Sequence, residues 1–298
     1  MALFDSVLSN CVINNNVASN STGGASIALG AALLDSSISE NVAQEGMGGI
    51  NVVFGGLISN CLISGNIAGG VSGAVGGVAL MFGAEMNQCT IVSNRATTMA
   101  GGVLSLIMML FPGEYGGGPT LRNCLIMDND CGDGIGGGLV IYGHSYVHNC
   151  TIVRNHAETS AGFHATAGGS FYNTIAYGNG PGSNTMQKLE VYNIPMIVDH
   201  CCIDKLDVDD SVDISTVITN DPAFADVAVA DFRLTAGSPC RDTGTNLPWM
   251  SGAVDLDGNP RILNHIVDRG AYEFVPEPGL LLAPLALALW WRRRGARP

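Results

Sequence analysis

The sequence predicts an all-β fold, a single-stranded parallel β-helix with a C-terminal cap and a short apolar tail helix. Three observations predict it. One phrase recurs at a period near 25 residues. Within the phrase, cysteine and isoleucine stand two residues apart. A glycine pair returns once per period. Self-similarity at such a period marks a solenoid, and a spacing of two places both side chains on one face of a strand.

The phrase is Asn10-Cys11-Val12-Ile13. It returns as Asn60-Cys61-Leu62-Ile63, Gln88-Cys89-Thr90-Ile91, Asn123-Cys124-Leu125-Ile126 and Asn149-Cys150-Thr151-Ile152. Weaker copies keep Ile38 and Ile175, so the isoleucines fall at 13, 38, 63, 91, 126, 152 and 175. Stacked in register, they form an inward column, with Thr90 and its equivalents on the other face. Asn16, Asn41, Asn66, Asn94, Asn129 and Asn155 each follow an isoleucine by three. Asparagine tolerates the left-handed region and can turn the chain, and its amides can bond coil to coil as a ladder. Ala18, Ala43, Ala68, Ala96 and Ala157 suit a tight corner. The pairs Gly23-Gly24, Gly48-Gly49, Gly76-Gly77, Gly101-Gly102 and the run Gly136 to Gly138 each precede a second apolar strand. About eight coils over residues 1–220 would make a rod of about 40 Å.

Composition agrees. Of 298 residues 47% are hydrophobic, 13% charged and 6% aromatic, and 40 are glycine. That fits many turns and small stacked side chains better than a typical enzyme core. The net charge is −13, with four of the thirteen basic residues in the last seven positions. An acidic surface repels phosphate backbones, which excludes nucleic acid as a partner. Five of the nine cysteines share the inward position of the repeat, which makes them buried, reduced, small side chains; bridges between neighbouring coils are the alternative.

The units Gly23-Gly24-Ala25, Gly48-Gly49-Ile50 and Ile63-Ser64-Gly65-Asn66 resemble the repeats of polymorphic outer-membrane proteins and related bacterial surface β-helices. That resemblance implies a right-handed helix. Beyond the repeat, residues 221–274 contain Asp221-Pro222-Ala223-Phe224, Phe232-Arg233-Leu234, Ser238-Pro239 with Asp242 and Gly244, Asp255-Leu256-Asp257-Gly258 with Arg261, and Asp268-Arg269-Gly270-Ala271-Tyr272-Glu273. Together these are similar to the choice-of-anchor Q domain of bacterial surface proteins. Cys240-Arg241 departs from that pattern, where alanine and isoleucine are commoner. The resemblance implies a segment that closes a β-helix ahead of an anchor. Such a cap would cover the open strand edge of the last coil.

Residues 275–298 resemble a PEP-CTERM sorting tail: Pro276-Glu277-Pro278, an apolar stretch from Leu280 to Trp291, then Arg292, Arg293 and Arg294. The resemblance implies an exosortase-type transpeptidase as partner and membrane insertion through residues 280–291 before processing. The arginines would stay cytoplasmic, although the stretch is short for a span. No secretory signal opens the chain, so a truncated N-terminus is expected, the alternative being a cytoplasmic protein.

Candidate sites are sparse. Asp128, Asp130 and Asp133, with Arg154 one coil on, are the best carboxylate cluster for polysaccharide lyase or hydrolase chemistry. Polar residues are expected beside the corner Asn129 anyway. His144, His148, His156 and His164 fall on neighbouring turns, as solvated residues or as metal ligands. Asp255, Asp257 and Asn259 have calcium-loop spacing, or make a turn through side-chain to backbone bonds. The long loop Phe111 to Gly118 is a natural binding feature. The expected function is a secreted, surface-anchored β-helix with a binding, adhesive or structural role, with polysaccharide or extracellular matrix as partner. The alternative is a polysaccharide lyase or glycoside hydrolase.

Overall fold

The computed structural model describes residues 1–107, 117–166, 168–187 and 196–276. Among these the chain winds as a parallel β-solenoid of about eight coils. The third coil is representative: strands Ile50–Val53, Leu57–Ser59, Leu62–Ser64 and Ile67–Ala68. The first three families of strands stack into sheets of nine, eight and eight, and the fourth into a short sheet of four. Every pairing in these sheets is parallel. The sole helical elements among the described residues are short 3-10 turns, Val227–Val229 and Pro248–Met250.

Inward residues form one continuous core. Ile38, Ile63, Ile91, Ile126 and Ile152 pair in register and are wholly buried, while Thr90 beside Ile91 is half-exposed on the outer face. The column does not continue through Ile175. Thr151 pairs with Ile175 and Ile152 with Ala176, so Ala176 and then Ile203 take the inward place. In that coil Thr174 occupies the cysteine position and Asn179 the ladder position; the Asn155 amide donates to its Oδ1 at 2.9 Å.

The asparagine ladder forms, with each Oδ1 accepting both the main-chain N–H and the side-chain amide of the preceding coil. Asn41 N and Nδ2 donate to Asn66 Oδ1 at 3.0 and 2.9 Å, and Asn66 does the same to Asn94. From Asn41 onward each Nδ2 also reaches the carbonyl of an isoleucine in the coil before, as Asn94 does to Ile63. The ladder asparagines are not the left-handed residues. Positive φ falls on the residue before each of them (Asn15, Glu40, Gly65, Ser93, Asp128, Arg154) and on the residue before each cysteine position (Asn10, Asp35, Asn60, Gln88, Asn123, Asn149). A ladder side chain must point inward, and the preceding residue makes the corner that aims it.

All nine cysteines are free thiols. Those of the column bond as well as pack: Cys61, Cys89 and Cys124 each donate to the carbonyl two residues back at 3.2 Å. Ser36 and Thr174 make the same bond where they replace cysteine. The shared requirement is a small donor at a corner. Cys131 stands instead in the alanine column, clustered with Ala68, Ala96 and Ala157. The glycine pairs are required by space: a Cβ on Gly77 would lie 2.5 Å from the Gly102 carbonyl oxygen of the next coil.

Residues 221–276 run back along the flank of the solenoid. Gln88 Nε2 donates to the Asp255 carbonyl at 3.0 Å and Asn123 Nδ2 to the Val254 carbonyl at 2.9 Å. Ala271 N donates to Thr151 Oγ1 at 2.9 Å, and Arg269 Nη1 to the Cys201 carbonyl at 2.6 Å. This segment buries outer-face residues: Leu125 and Val153 pack with Phe232, and Ile175 and Cys202 with Leu234 and Cys240. The equivalent Val12 and Leu62 of early coils remain exposed. The apolar side chains that meet the core at the last coil come from just before the segment, as Val208, Val212 and Val217. The expected tail, with Glu277, Pro278 and residues 280–291, lies outside the described residues; Pro276 is exposed. Among the described residues no helix is long and apolar enough to cross a membrane.

Candidate functional site: the acidic corner and the cleft beneath Trp249

Stacking brings Asp128 and Arg154 together, since they hold the same corner of adjacent coils. Arg154 Nε donates to Asp128 Oδ1 at 2.8 Å and Nη2 bonds Oδ2, a bidentate pair. Arg154 Nη1 also reaches the Val227 carbonyl at 2.8 Å, and the guanidinium lies over the Phe232 ring. Asp130 is held by Arg95 at 3.4 Å, His156 at 3.0 Å and the Gly132 N–H at 2.8 Å. Burial raises its pKa, but the Gly132 amide, His156 and Arg95 outweigh that and keep the carboxyl below its usual range. Asp133 is exposed in the turn that follows, and Asn129 between the two aspartates is committed to the ladder. Asp128 and Asp130 therefore sit in ion pairs that tie coil to coil, with Asp133 outside them. A general acid needs a carboxyl held protonated near neutrality, and Asp130 is shifted the other way.

Asp255, Asp257 and Asn259 adopt the geometry of a turn rather than of a cation cage. Asp255 is fully buried, and its Oδ1 accepts from the amides of Asp257 and Asn259 at 2.9 and 2.8 Å. Its Oδ2 accepts from Glu273 N at 2.8 Å and Asn259 Nδ2 at 3.2 Å. Asp257 turns away to a bidentate pair with Arg233 at 2.6 and 3.1 Å. Those oxygens already accept hydrogen bonds from the protein, and among the described residues no group of three or more His, Cys, Asp or Glu side chains is placed to hold a metal ion. The same stretch makes a buried latch: Arg261, wholly buried, meets Glu273 at 2.9 Å and donates to the Asp268 and Gly270 carbonyls.

Sequence reasoning missed a second site on the outer face of the second sheet. Strands Glu85–Asn87, Thr120–Arg122, Tyr146–His148 and Gly169–Tyr172 stack in register. This places Asn87, Arg122, His148 and Tyr172 in one outward row. Trp249, on the short 3-10 turn, lies over that row: its ring is 13° from the plane of His148 with centroids 6.1 Å apart, and Arg122 stands 5.3 Å from its centroid. Between them opens a cleft of about 290 Å³ lined by Ser59, Asn87, Gln88, Arg122, Asn123 and Trp249, with Gly252 to Val254 forming the wall.

His148 is thus buried rather than solvated. Burial, aided by the Arg122 charge, pushes its pKa down to about 4, so it is neutral at pH 7. His164 and His144 are half-buried and shifted down by burial, while His156 stays exposed beside Asp130. The cleft is poorly satisfied. Of the side chains that line it, Asn87 Oδ1, Asn123 Oδ1, Arg122 Nε and Trp249 Nε1 are buried without a hydrogen-bond partner in the protein, as are both nitrogens of the neighbouring His148. No regular spacing announced this site, because Trp249 belongs to the non-repeating segment. The one readable hint was a tryptophan in a chain with only 6% aromatic residues.

A family model described as a right-handed β-helix region matches residues 5–179. The chain belongs to that family, and the solenoid has the right-handed sense. No curated protein matches the sequence. Among solved structures it is similar to pectate lyase Pel9A at 10% identity and a TM-score of 0.38, over 89% of this chain and 72% of that one. At that level the likeness concerns the fold alone.

Proposed function

We propose that this protein is a secreted, surface-anchored right-handed β-helix whose role is binding or adhesion rather than catalysis, with polysaccharide or extracellular matrix as its partner. The observation that carries the reading is the contrast between the two polar sites. Two of the three carboxylates considered for glycosidic chemistry, Asp128 and Asp130, are held in ion pairs with Arg154, Arg95 and His156, and the third, Asp133, stands exposed in a turn. The cleft beneath Trp249 holds buried donors and acceptors that no protein group pairs. Buried polar groups are normally satisfied, so an unsatisfied cluster beside an aromatic ring has the character of a binding site. Surface anchorage rests on the similarity of residues 221–274 and of the tail to bacterial sorting architectures. Fractionation of the host with an antibody tests it: the protein should appear with the envelope or medium, and full-length chain confined to the cytosol would overturn the reading. Screening against acidic and neutral polysaccharides tests the role, where retention without turnover is expected and a released product would favour the enzyme.

A further inference from the structure

We infer that the cleft beneath Trp249 is a subsite for one uncharged, polyhydroxylated unit, a neutral sugar residue. The inference rests on the binding role proposed above and names the ligand class of that same site.

The inventory of unpartnered atoms sets the chemistry. Asn87 Oδ1 and Asn123 Oδ1 are acceptors and ask the ligand for hydrogens. Arg122 Nε and Trp249 Nε1 are donors and ask it for lone pairs. A carboxylate or phosphate group by itself offers lone pairs only and would leave both amide oxygens unsatisfied, so hydroxyls must answer them, and charge decides between a neutral and an acidic sugar. A cation or amine would leave both donors unsatisfied. A ring bearing several hydroxyls can answer all four, because each hydroxyl both donates and accepts.

Charge points the same way. Arg122 is the one cation among the described residues that line the cleft, and Glu85, its neighbour across the second sheet, stands 3.7 Å from its Nη1. His148 beneath the indole is neutral. The cleft therefore makes little demand for an anion, and a net charge of −13 disfavours a polyanion at long range. Size agrees, since about 290 Å³ admits a single ring. Trp249 is half-exposed and supplies the flat apolar surface against which the C–H face of a sugar packs.

The site is built. Asn123, which lines the cleft, is 4% exposed, and its Nδ2 is fixed by the Val254 carbonyl at 2.9 Å, which leaves Oδ1 as the unpaired end of the amide. The orphaned atoms are shut off from bulk water. The indole is held by ring contacts to Arg122 and His148, with no hydrogen bond from Nε1. Sugar binding as proposed therefore includes a shift of the indole edge that lets ligand hydroxyls reach the orphaned atoms while the ring face keeps its contact with the sugar.

Titration calorimetry of the full chain with a neutral β-glucan hexasaccharide, a neutral mannan hexasaccharide and an oligogalacturonate tests this. At least one neutral oligomer should bind, and the acidic oligomer at least tenfold more weakly. Trp249→Ala should weaken binding tenfold or more. Asn87→Leu is the decisive variant. It removes an unsatisfied buried acceptor, so it should raise the melting temperature while weakening neutral-sugar binding at least tenfold, a combination that a purely structural asparagine would not show. Tighter binding of oligogalacturonate, or neutral-sugar binding untouched by both variants, overturns the subsite and leaves the binding role standing. Retention of no saccharide by the wild-type chain overturns both.

Discussion

Ile91 and Thr90 are neighbours in the chain with opposite surroundings. Ile91 is closed in the core between Ile63 and Ile126; Thr90 faces out. Ile91→Ala should cost roughly 2–5 kcal/mol through lost burial and a residual cavity. Ile91→Asp should cost more, as an unpaired charge in a dry column, while Thr90→Asp should be mild. Thermal melts of the two aspartate variants check this, and equal losses would mean the strand faces are misassigned. Burial raises the thiol pKa of Cys89, Cys124 and Cys150, and that of Cys201 to about 12. Folded protein should therefore react slowly with thiol reagents, half-buried Cys11 reacting first, and mass spectrometry should find the column reduced. His148 offers a pH test. Its folded pKa of about 4 lies below the ordinary 6.5, so the unfolded chain binds the extra proton between those values. Its contribution is complete above about pH 7 and is lost as the pH falls from 6.5 toward 4, by up to about 3 kcal/mol. The side chains that face it are Arg122, Tyr146, Tyr172 and Trp249. Comparing urea midpoints of wild type and His148→Gln at pH 7 and pH 4.5 isolates the effect: the variant should lose less stability on acidification.

The ladder is the element that fixes coil on coil. Asn94 Oδ1 takes two hydrogen bonds from Asn66, and its Nδ2 serves Ile63, Val92 and Asn129. Asn94→Ala strands the Asn66 donors in a buried site, at a cost of about 2–5 kcal/mol, since each orphaned group forfeits about 1–3. Urea denaturation gives the total, and hydrogen exchange should show the amide of Asn66 losing protection before distant coils do. The ladder was legible because asparagine recurs three residues after isoleucine. Its seventh rung was not: in that coil isoleucine stands at 175 and alanine at 176, and counting from Ile175 leads to Gly178 instead of Asn179.

At the scale of the whole molecule, the C-terminal segment joins coils far apart in sequence to one flank. Its latch is the buried Arg261, set against Glu273, Asp255 and Asp268. Arg261→Met removes the cation and leaves the acids buried, a loss of about 3–5 kcal/mol by analogy with broken buried pairs. Hydrogen exchange should then rise first at Phe224–Asp226 and Asp231–Leu234, and at the outer-face strands Leu125–Met127 and Thr151–Val153 they cover. Uniform destabilisation with no local loosening would show that the segment is not a separable layer.

The repeat alone determined the strand faces, the inward isoleucine column, the parallel stacking and the small residue at each corner. Those are local periodic requirements, and each coil restates them, so one misleading coil such as that of Ile175 does not obscure the rule. Tertiary structure decided what the outer faces do. Leu125 and Val12 hold the same place in the repeat, yet one is buried under Phe232 and the other is open to water. Asp130 looked like a candidate acid until stacking set it beside Arg95 and His156, and Arg122 lay in an ordinary strand until Trp249 closed over it. The segment that makes these contacts has no period in common with the coils, so its pairings are set by shape, charge and burial across more than a hundred residues of chain.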